Sequence, residues 1–303
     1  MELLKKICAI HAPSGEEFAM SQFILDHIKE YQKTWKSKPT LYFGDDFQDN
    51  IIMVFGKKPR TAIFAHLDSI GFSVKYNNEI IKIGGPVVEE GIELVGTDSK
   101  GNIEAKIIKK NDKTFIDFKR KIDRGTSLTF KMNFKETDNY IQSCYLDNRL
   151  GVWNALKVAE NLEDGIIVFS CWEEHGGGSV GFLTNFIYSK YNINKALISD
   201  ITWVTEGVKA GKGVVISLRD SGIPRRSFVN KIISLAKSHN IHYQLEVESS
   251  GGSDGNEIQK SPFPVDWCFI GAPEQNVHSP KEKVHKKDMK SMLQIYSLLM
   301  KEL

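Results

Sequence analysis

Residues 166–172 (IIVFSCW) run without a charge, and two adjacent carboxylates, Glu173 and Glu174, follow where the run stops. A run of this length, closed by the glycine-rich HGGGSVG, predicts a strand buried on both faces, as found at the centre of a parallel sheet. The two glutamates then stand at its carboxyl end, the edge where α/β sheets open the crevice that binds ligands. Neighbouring anions there repel each other and lose hydration unless something cationic compensates, and a divalent metal is the obvious candidate. A bare Glu-Glu pair is ordinarily a solvated loop. The rest of the chain decides between the two.

At 303 residues, 41% hydrophobic and 26% charged, the chain has the composition of an ordinary globular protein with one large domain, or a main domain and a smaller one. A formal net charge of +2 argues neither for nor against an acidic partner. The basic run at 106–124 alternates with apolar residues and aspartates, so it reads as a solvated strand face and no nucleic acid is expected. Cys8, Cys144, Cys171 and Cys268 lie far apart with no CxxC pair. Reduced, buried thiols and a cytoplasmic location are therefore expected. The amino-terminal apolar stretch is too short for a signal peptide, and no run approaches the roughly 18 apolar residues of a membrane span.

Helical spacing is expected at 2–10 and 16–31, broken by HAPSG, and strands at 40–43, 51–55 and 61–65, the last running into His66-Leu67-Asp68. From 69 to 142 the texture changes to short alternating runs such as NIEAKIIKK and TFIDFK, punctuated by NN, GG and DSKG, with no helix between them. The α/β rhythm resumes at Cys144. Asp147-Asn148-Arg149 precedes a helix at 150–162, and further helices are expected at 180–188, 224–239 and 286–303. Strands are expected at 194–199, followed by Asp200, and at 214–218, 242–248 and 265–270, the last leading to a loop that contains His278. The expected fold is α/β: a mixed, mostly parallel sheet flanked by helices, built from 1–68 and 143–303, with 69–142 inserted as a small antiparallel β-barrel.

The ends of the apolar runs carry His66 and Asp68, Glu173 and Glu174, and Asp200, with Asp147 at a helix start and His278 in a late loop. Strand ends of a parallel sheet converge on one rim, so these residues can meet. Two histidines and several carboxylates suit two zinc-type cations, with one carboxylate bridging and a position left open for water. Singly, each is weak, because a lone histidine is usually a satisfied core or surface residue and a lone aspartate after a strand is usually a helix cap.

In order and local wording these segments resemble the tetrahedral (TET) or glutamyl aminopeptidases, dinuclear metal exopeptidases with an inserted β domain. His11-Ala12-Pro13-Ser14-Gly15, Ala65-His66-Leu67-Asp68 and Asp147-Asn148-Arg149 with Gly151 carry the likeness. So do Glu173-Glu174, Ser199-Asp200, Gly251-Gly252-Ser253-Asp254 and His278-Ser279-Pro280, and the likeness spans almost the whole chain. It implies one metal held by His66, Asp147 and Asp200, and a second by Asp147, Glu174 and His278. It also implies Glu173 as general base, Asp68 orienting His66, and Gly252, Ser253 and Asp254 at the substrate. Zinc, cobalt or manganese suits such ligands. The resemblance further implies peptide substrates and a homo-oligomer, from dimer to dodecamer, with the inserted unit serving assembly. The chain departs from the family's wording at 175–179 and at Glu274, which bears on specificity.

Other readings compete. Residues 177–181 match the G-x-S-x-G nucleophile elbow, and Ser179, Asp254 and His278 fall in serine-hydrolase order, yet six residues separate Trp172 from Ser179 where the elbow needs the serine directly after the strand. The same two-metal site could serve a deacylase or another amidohydrolase. A catalytically silent scaffold is the reading outside enzymology, and against it no ligand position is missing.

Overall fold

The computed structural model describes residues 1–303. The chain opens with α1 (Glu2–Cys8) and α2 (Phe18–Tyr31), then lays down β1 (Thr40–Tyr42), β2 (Ile51–Phe55) and β3 (Ala62–His66). The strands β4 (Gly71–Val74), β5 (Ile80–Ile83), β6 (Glu93–Asp98), β7 (Gly101–Lys110), β8 (Lys113–Asp117) and β9 (Ser127–Phe130) follow with no α-helix between them. β10 (Lys135–Glu136) and β11 (Tyr140–Ser143) lead into α3 (Leu146–Ala159), β12 (Gly165–Ser170), α4 (Val180–Tyr191), β13 (Lys195–Trp203) and β14 (Val214–Arg219). The chain closes with α5 (Arg226–Ser238), β15 (Tyr243–Val247), α6 (Asp254–Lys260), β16 (Asp266–Gln275), β17 (Glu282–His285) and α7 (Lys286–Glu302).

The uninterrupted apolar runs become the middle of an eleven-stranded sheet because both of its faces are covered. Along β2, Ile51, Met53 and Phe55 join the core under α1, α2, α3 and α7, while Ile52 and Val54 pack on the other face with residues of α4 and α6. Each such side chain contributes on the order of 1.5–3 kcal/mol by leaving water. The order is β1-β2-β12-β3-β13-β16-β17-β11-β10, with β14 and β15 branching from β16. The centre, β12-β3-β13-β16, is parallel, and β2, β14 and β17 flank it antiparallel. This is the expected mixed α/β sheet between helices.

The alternating runs form a second, antiparallel sheet of six strands in the order β5-β4-β9-β6-β7-β8. On β7, Ile103, Ala105 and Ile107 point inward and Glu104 and Lys106 outward. A bridge between Glu79 and Phe115 brings the two ends of the sheet together, so it is a nearly closed barrel, as expected. All four cysteines are buried and unpaired. No helix is long and apolar enough to cross a membrane.

Four local expectations differ from the structure. β10 and β11 fall within or beside the segment read as inserted, yet they pair with β17 in the large sheet, where Ile141 enters the main core. β13 continues to Trp203, so Asp200 lies inside a strand rather than after its end. β16 likewise runs on to Gln275, and β17 stands where a loop was expected, because Glu274 and Glu282 break the apolar pattern of strands held by pairing on both sides. Of the three residues expected before the helix, Asp147 and Asn148 have non-helical backbone at the start of α3, whereas Arg149 already lies in its regular part.

Candidate active site

β3 ends at His66, and Ser170, the last residue of β12, is its parallel partner in register. Glu173 and Glu174 therefore emerge beside His66. The turn after β3 carries Asp68, fully buried, which accepts hydrogen bonds from Ser14 Oγ (2.6 Å) and from the backbone N–H groups of Glu173 (3.1 Å) and Glu174 (3.0 Å). Its Oδ1 lies 3.4 Å from His66 Nδ1, a charge contact without hydrogen-bond geometry, and that nitrogen has no hydrogen-bond partner. Asp68, expected to orient His66, thus spends its hydrogen bonds on the backbone of the glutamate pair.

Asp147 arrives from the non-helical start of α3, which the buried Arg149 ties to the turn after β3 by donating to the carbonyls of Leu67 and Asp68. The backbone N–H groups of Asp147 and His278 both donate to Glu282, at 3.3 and 3.0 Å, so one carboxylate of β17 sets two site residues at once. Gly85, in the loop after β5, offers its carbonyl to His278 Nδ1 at 3.2 Å. A carbonyl only accepts, so Nδ1 carries the proton and Nε2 is left facing the site.

Around Asp147 the arrangement is two-sided. Its Oδ1 is 3.3 Å from His66 Nε2, and its Oδ2 is 3.2 Å from His278 Nε2. Asp200 Oδ2 stands 3.6 Å from the first imidazole, and Glu174 Oε2 stands 3.3 Å from the second. Glu173 Oε2 is on the His66 side, at 4.0 Å. Ligands about 2.0–2.1 Å from a tetrahedral ion lie roughly 3.3 Å from one another, so these spacings are those of side chains able to ligate a divalent cation. Ligand atoms of His66, Asp147 and Glu174 all lie within 4.8 Å of one another, and Glu174 Oε1 is a buried acceptor without a partner. The residues present fit divalent cations.

The electrostatics agree. Burial pushes Glu173, Glu174 and Asp200 above the usual carboxylate range, and neighbouring carboxylates push them further. Burial acts on Asp147 the same way, but hydrogen bonds from His278 and His66 outweigh it and hold it well below that range. Burial pulls both imidazoles down, yet the surrounding carboxylates win: His66 is raised, and Asp147 and Glu174 carry His278 up to about 12. Four carboxylates crowd two imidazoles, and their raised values show how strongly joint ionisation is opposed here without a further cation. Glu274 is a further case, with both oxygens buried and unpartnered, and burial followed by the charge of Glu282 favours its neutral acid form.

The site opens into a cleft of about 230 Å³ whose lining includes His66, Asp147, Glu173, Glu174, Asp200 and His278. Gly252 lines it too. Ser253 and Asp254 do not: Ser253 Oγ caps α6 by accepting from Gly255 N at 3.2 Å, and Asp254 accepts from Ser170 Oγ at 2.5 Å beneath the cleft wall. The serine-hydrolase reading fails on Ser179, which is 4% exposed and spends its hydroxyl on the backbone of Cys171, donating to the carbonyl at 2.9 Å and accepting from the N–H at 3.0 Å. It stands at the N-terminal boundary of α4 without a side-chain capping bond and lies outside the cleft lining. The sequence reading missed Trp203, Asp220, Glu246 and Glu248, which complete the cleft, and Glu282, which braces it. Only the expectation of a strand ending at 248 came near them.

Comparison with known proteins agrees with this picture. An aminopeptidase from Desulfurococcus kamchatkensis superposes with a TM-score of 0.87 at 24% identity, covering 100% of this chain and 94% of the other. The TET1 peptidase of Pyrococcus horikoshii, which can assemble into a tetrahedron or a large octahedral shell, gives 0.84 at 23%, covering 100% and 99%. At these identities the likeness speaks for the fold. In sequence, a protein of Acetivibrio thermocellus named provisionally as an aminopeptidase is 26% identical, over 97% of this chain and 96% of its own length. The profile of the M42 glutamyl aminopeptidases matches residues 100–295, which hold Asp147, both glutamates, Asp200 and His278, and with more than half the chain matched this protein belongs to that family of peptidases.

Proposed function

We propose that this protein is an aminopeptidase that removes amino-terminal residues from peptides with the help of two divalent cations, most simply zinc. His66, Asp147 and Asp200 would hold one ion, and Asp147, Glu174 and His278 the other. The observation that carries this reading is Asp147, whose two carboxylate oxygens each face a different imidazole, with one further carboxylate beside each. Bound there, the ions would supply Lewis acidity toward the scissile carbonyl and a nucleophile available at neutral pH. Glu173 is the free carboxylate at the rim. It takes the proton from the attacking water on its Oε2 side and returns it to the leaving amine, which breaks the peptide bond with no net proton change. Asp68 holds the Glu173 and Glu174 backbone, so base and ligand keep their separate directions.

The inserted barrel, whose strands run between Gly71 and Phe130, serves assembly of a homo-oligomer in this reading, supported by the TET1 shells and by a second TET1 structure described as a dodecamer. Gly252 forms part of the substrate cleft, with Ser253 and Asp254 shaping the wall behind it. Dialysis against a chelator should abolish hydrolysis of aminoacyl anilides, and zinc or cobalt should restore it. Full activity in metal-free protein would refute the metal-dependent reading.

A further inference from the structure

Beyond the candidate ligands, the cleft is lined by Asp220, after β14, and by Glu246 and Glu248, on and after β15. No lysine or arginine lines it, and its two histidines are those facing Asp147. Glu246 is 3% exposed, while its neighbours on the same strand, Leu245 and Val247, are 43% and 63% exposed. An edge strand that turns its aliphatic residues outward to bury a carboxylate breaks the usual pattern, and such breaks mark functional positions. Thr202 Oγ1 donates to Glu246 Oε1, and the Ser217 hydroxyl also favours its ionised form, but both partners are neutral and leave the carboxylate's charge uncompensated. None of the three acids has a basic side-chain nitrogen within 4.0 Å. Arg219 is adjacent in sequence and its charge acts weakly on Asp220, but it makes no ion pair there, and its Nε donates to the backbone carbonyl of Asp220 at 3.3 Å. The Asp220 carboxylate accepts from Gly222 N at 2.5 Å, which fixes its direction without neutralising it.

We propose that Asp220, Glu246 and Glu248 form a side-chain subsite for a basic amino-terminal residue, so that the preferred substrates are peptides beginning with lysine or arginine. This rests on the aminopeptidase reading above. A single carboxylate suffices to anchor an α-ammonium group, and three line the cleft beyond the candidate ligands. Burial, then the charges of Asp220 and Glu248, push Glu246 up, and an ammonium or guanidinium in the subsite relieves that strain. Trp203 and Phe269 also line the cleft and offer apolar surface to the methylene stem of such a residue. A glutamyl side chain, the one in the family's name, meets like charge here and is rejected.

The test compares kcat/KM of the metal-loaded enzyme on lysyl, arginyl, leucyl and glutamyl anilides, for the natural protein, Glu246→Gln and Asp220→Asn. Lysyl and arginyl substrates should exceed leucyl by about tenfold or more, and Glu246→Gln should cut the lysyl-to-leucyl ratio by roughly 10- to 100-fold, chiefly through KM. Asp220→Asn should shift the ratio the same way by less. A preference for leucyl or glutamyl substrates overturns the proposal. So does an equal loss on all substrates in Glu246→Gln, which would make Glu246 an anchor for the α-amine. Calorimetry with L-lysinamide and L-norleucinamide reads the subsite without turnover, and lysinamide should bind about tenfold tighter through Glu246. Equal binding refutes the subsite. Lysinamide binding without hydrolysis of any anilide refutes the aminopeptidase reading and leaves the subsite standing.

Discussion

In the small sheet, acids face bases. Asp98 receives the Arg120 guanidinium at 2.6 and 2.8 Å, Glu79 lies 3.3 Å from both Lys75 and Lys113, and Lys131 reaches Glu93 and Glu104. At the rim of the large sheet, Asp147, Glu173, Glu174 and Asp200 gather around two imidazoles with no lysine or arginine among them. The barrel balances its own charge pair by pair, where such contacts contribute little to stability. The rim leaves charge unbalanced under cover, where an uncompensated ion costs several times more. Folding alone explains the first arrangement. The second needs a ligand.

If that contrast is right, the largest effect comes from the two adjacent glutamates. Glu173→Gln should lower kcat by on the order of 10²- to 10⁴-fold with metal content still two ions per chain, whereas Glu174→Gln should lose metal along with activity and recover partly in excess metal. The reverse pattern in metal analysis would exchange their roles, and normal rates in both would remove the rim from the chemistry. A smaller effect tests whether the inserted unit is as separate as its charge balance suggests. A Cβ on Gly85 would sit 3.0 Å from His278 Nδ1, where the Gly85 carbonyl now accepts its hydrogen bond. Gly85→Ala should weaken metal binding roughly 10- to 100-fold in a metal titration. Unchanged affinity would mean the loop yields and the barrel plays no part in the centre.

The smallest effect belongs to the barrel. Arg120 holds Asp98 well below the usual carboxylate range. A depressed carboxylate stabilises the folded state above its unfolded pKa of about 3.9, and this is lost as pH falls through the folded value. Asp98→Asn should therefore lower Tm slightly at neutral pH with kcat unchanged, and the difference from the natural protein should shrink in strong acid. A large loss of activity would show that the barrel's integrity is coupled to the rim.

The sequence shows the centre where an apolar run stops. His66, Glu173 and Glu174 are legible because the strands before them are hydrophobic on both faces and a charge there marks the boundary. Asp200, Glu274 and Glu282 sit inside strands, where hydrogen-bonded pairing carries the chain past the charge, so apolar patterning ends those strands early or misses them. The acids Asp220, Glu246 and Glu248 were invisible for another reason. Nothing near Asp220 or Glu246 in the chain announces a site, and only the branching of β14 and β15 from β16 brings them to the cleft. Alternation in YQLEV would put Leu245 and Val247 inside, and the fold does the opposite.

The candidate ligands are spread from His66 to His278, and this has a consequence during synthesis. At about 5–20 residues per second, the 212 residues from Leu67 to His278 take roughly 10–40 s to make. Through that interval a nascent chain already displays His66 and Asp68, then Asp147, then the glutamates, each with nothing to complete it. The strand β3, paired with β12 on one side, meanwhile waits for β13 on the other, and β13 in turn for β16. The newborn protein is thus an open sheet edge with a growing cluster of acids at its end. Charge repulsion in that cluster opposes edge-to-edge pairing with another ribosome's product until the last histidine arrives.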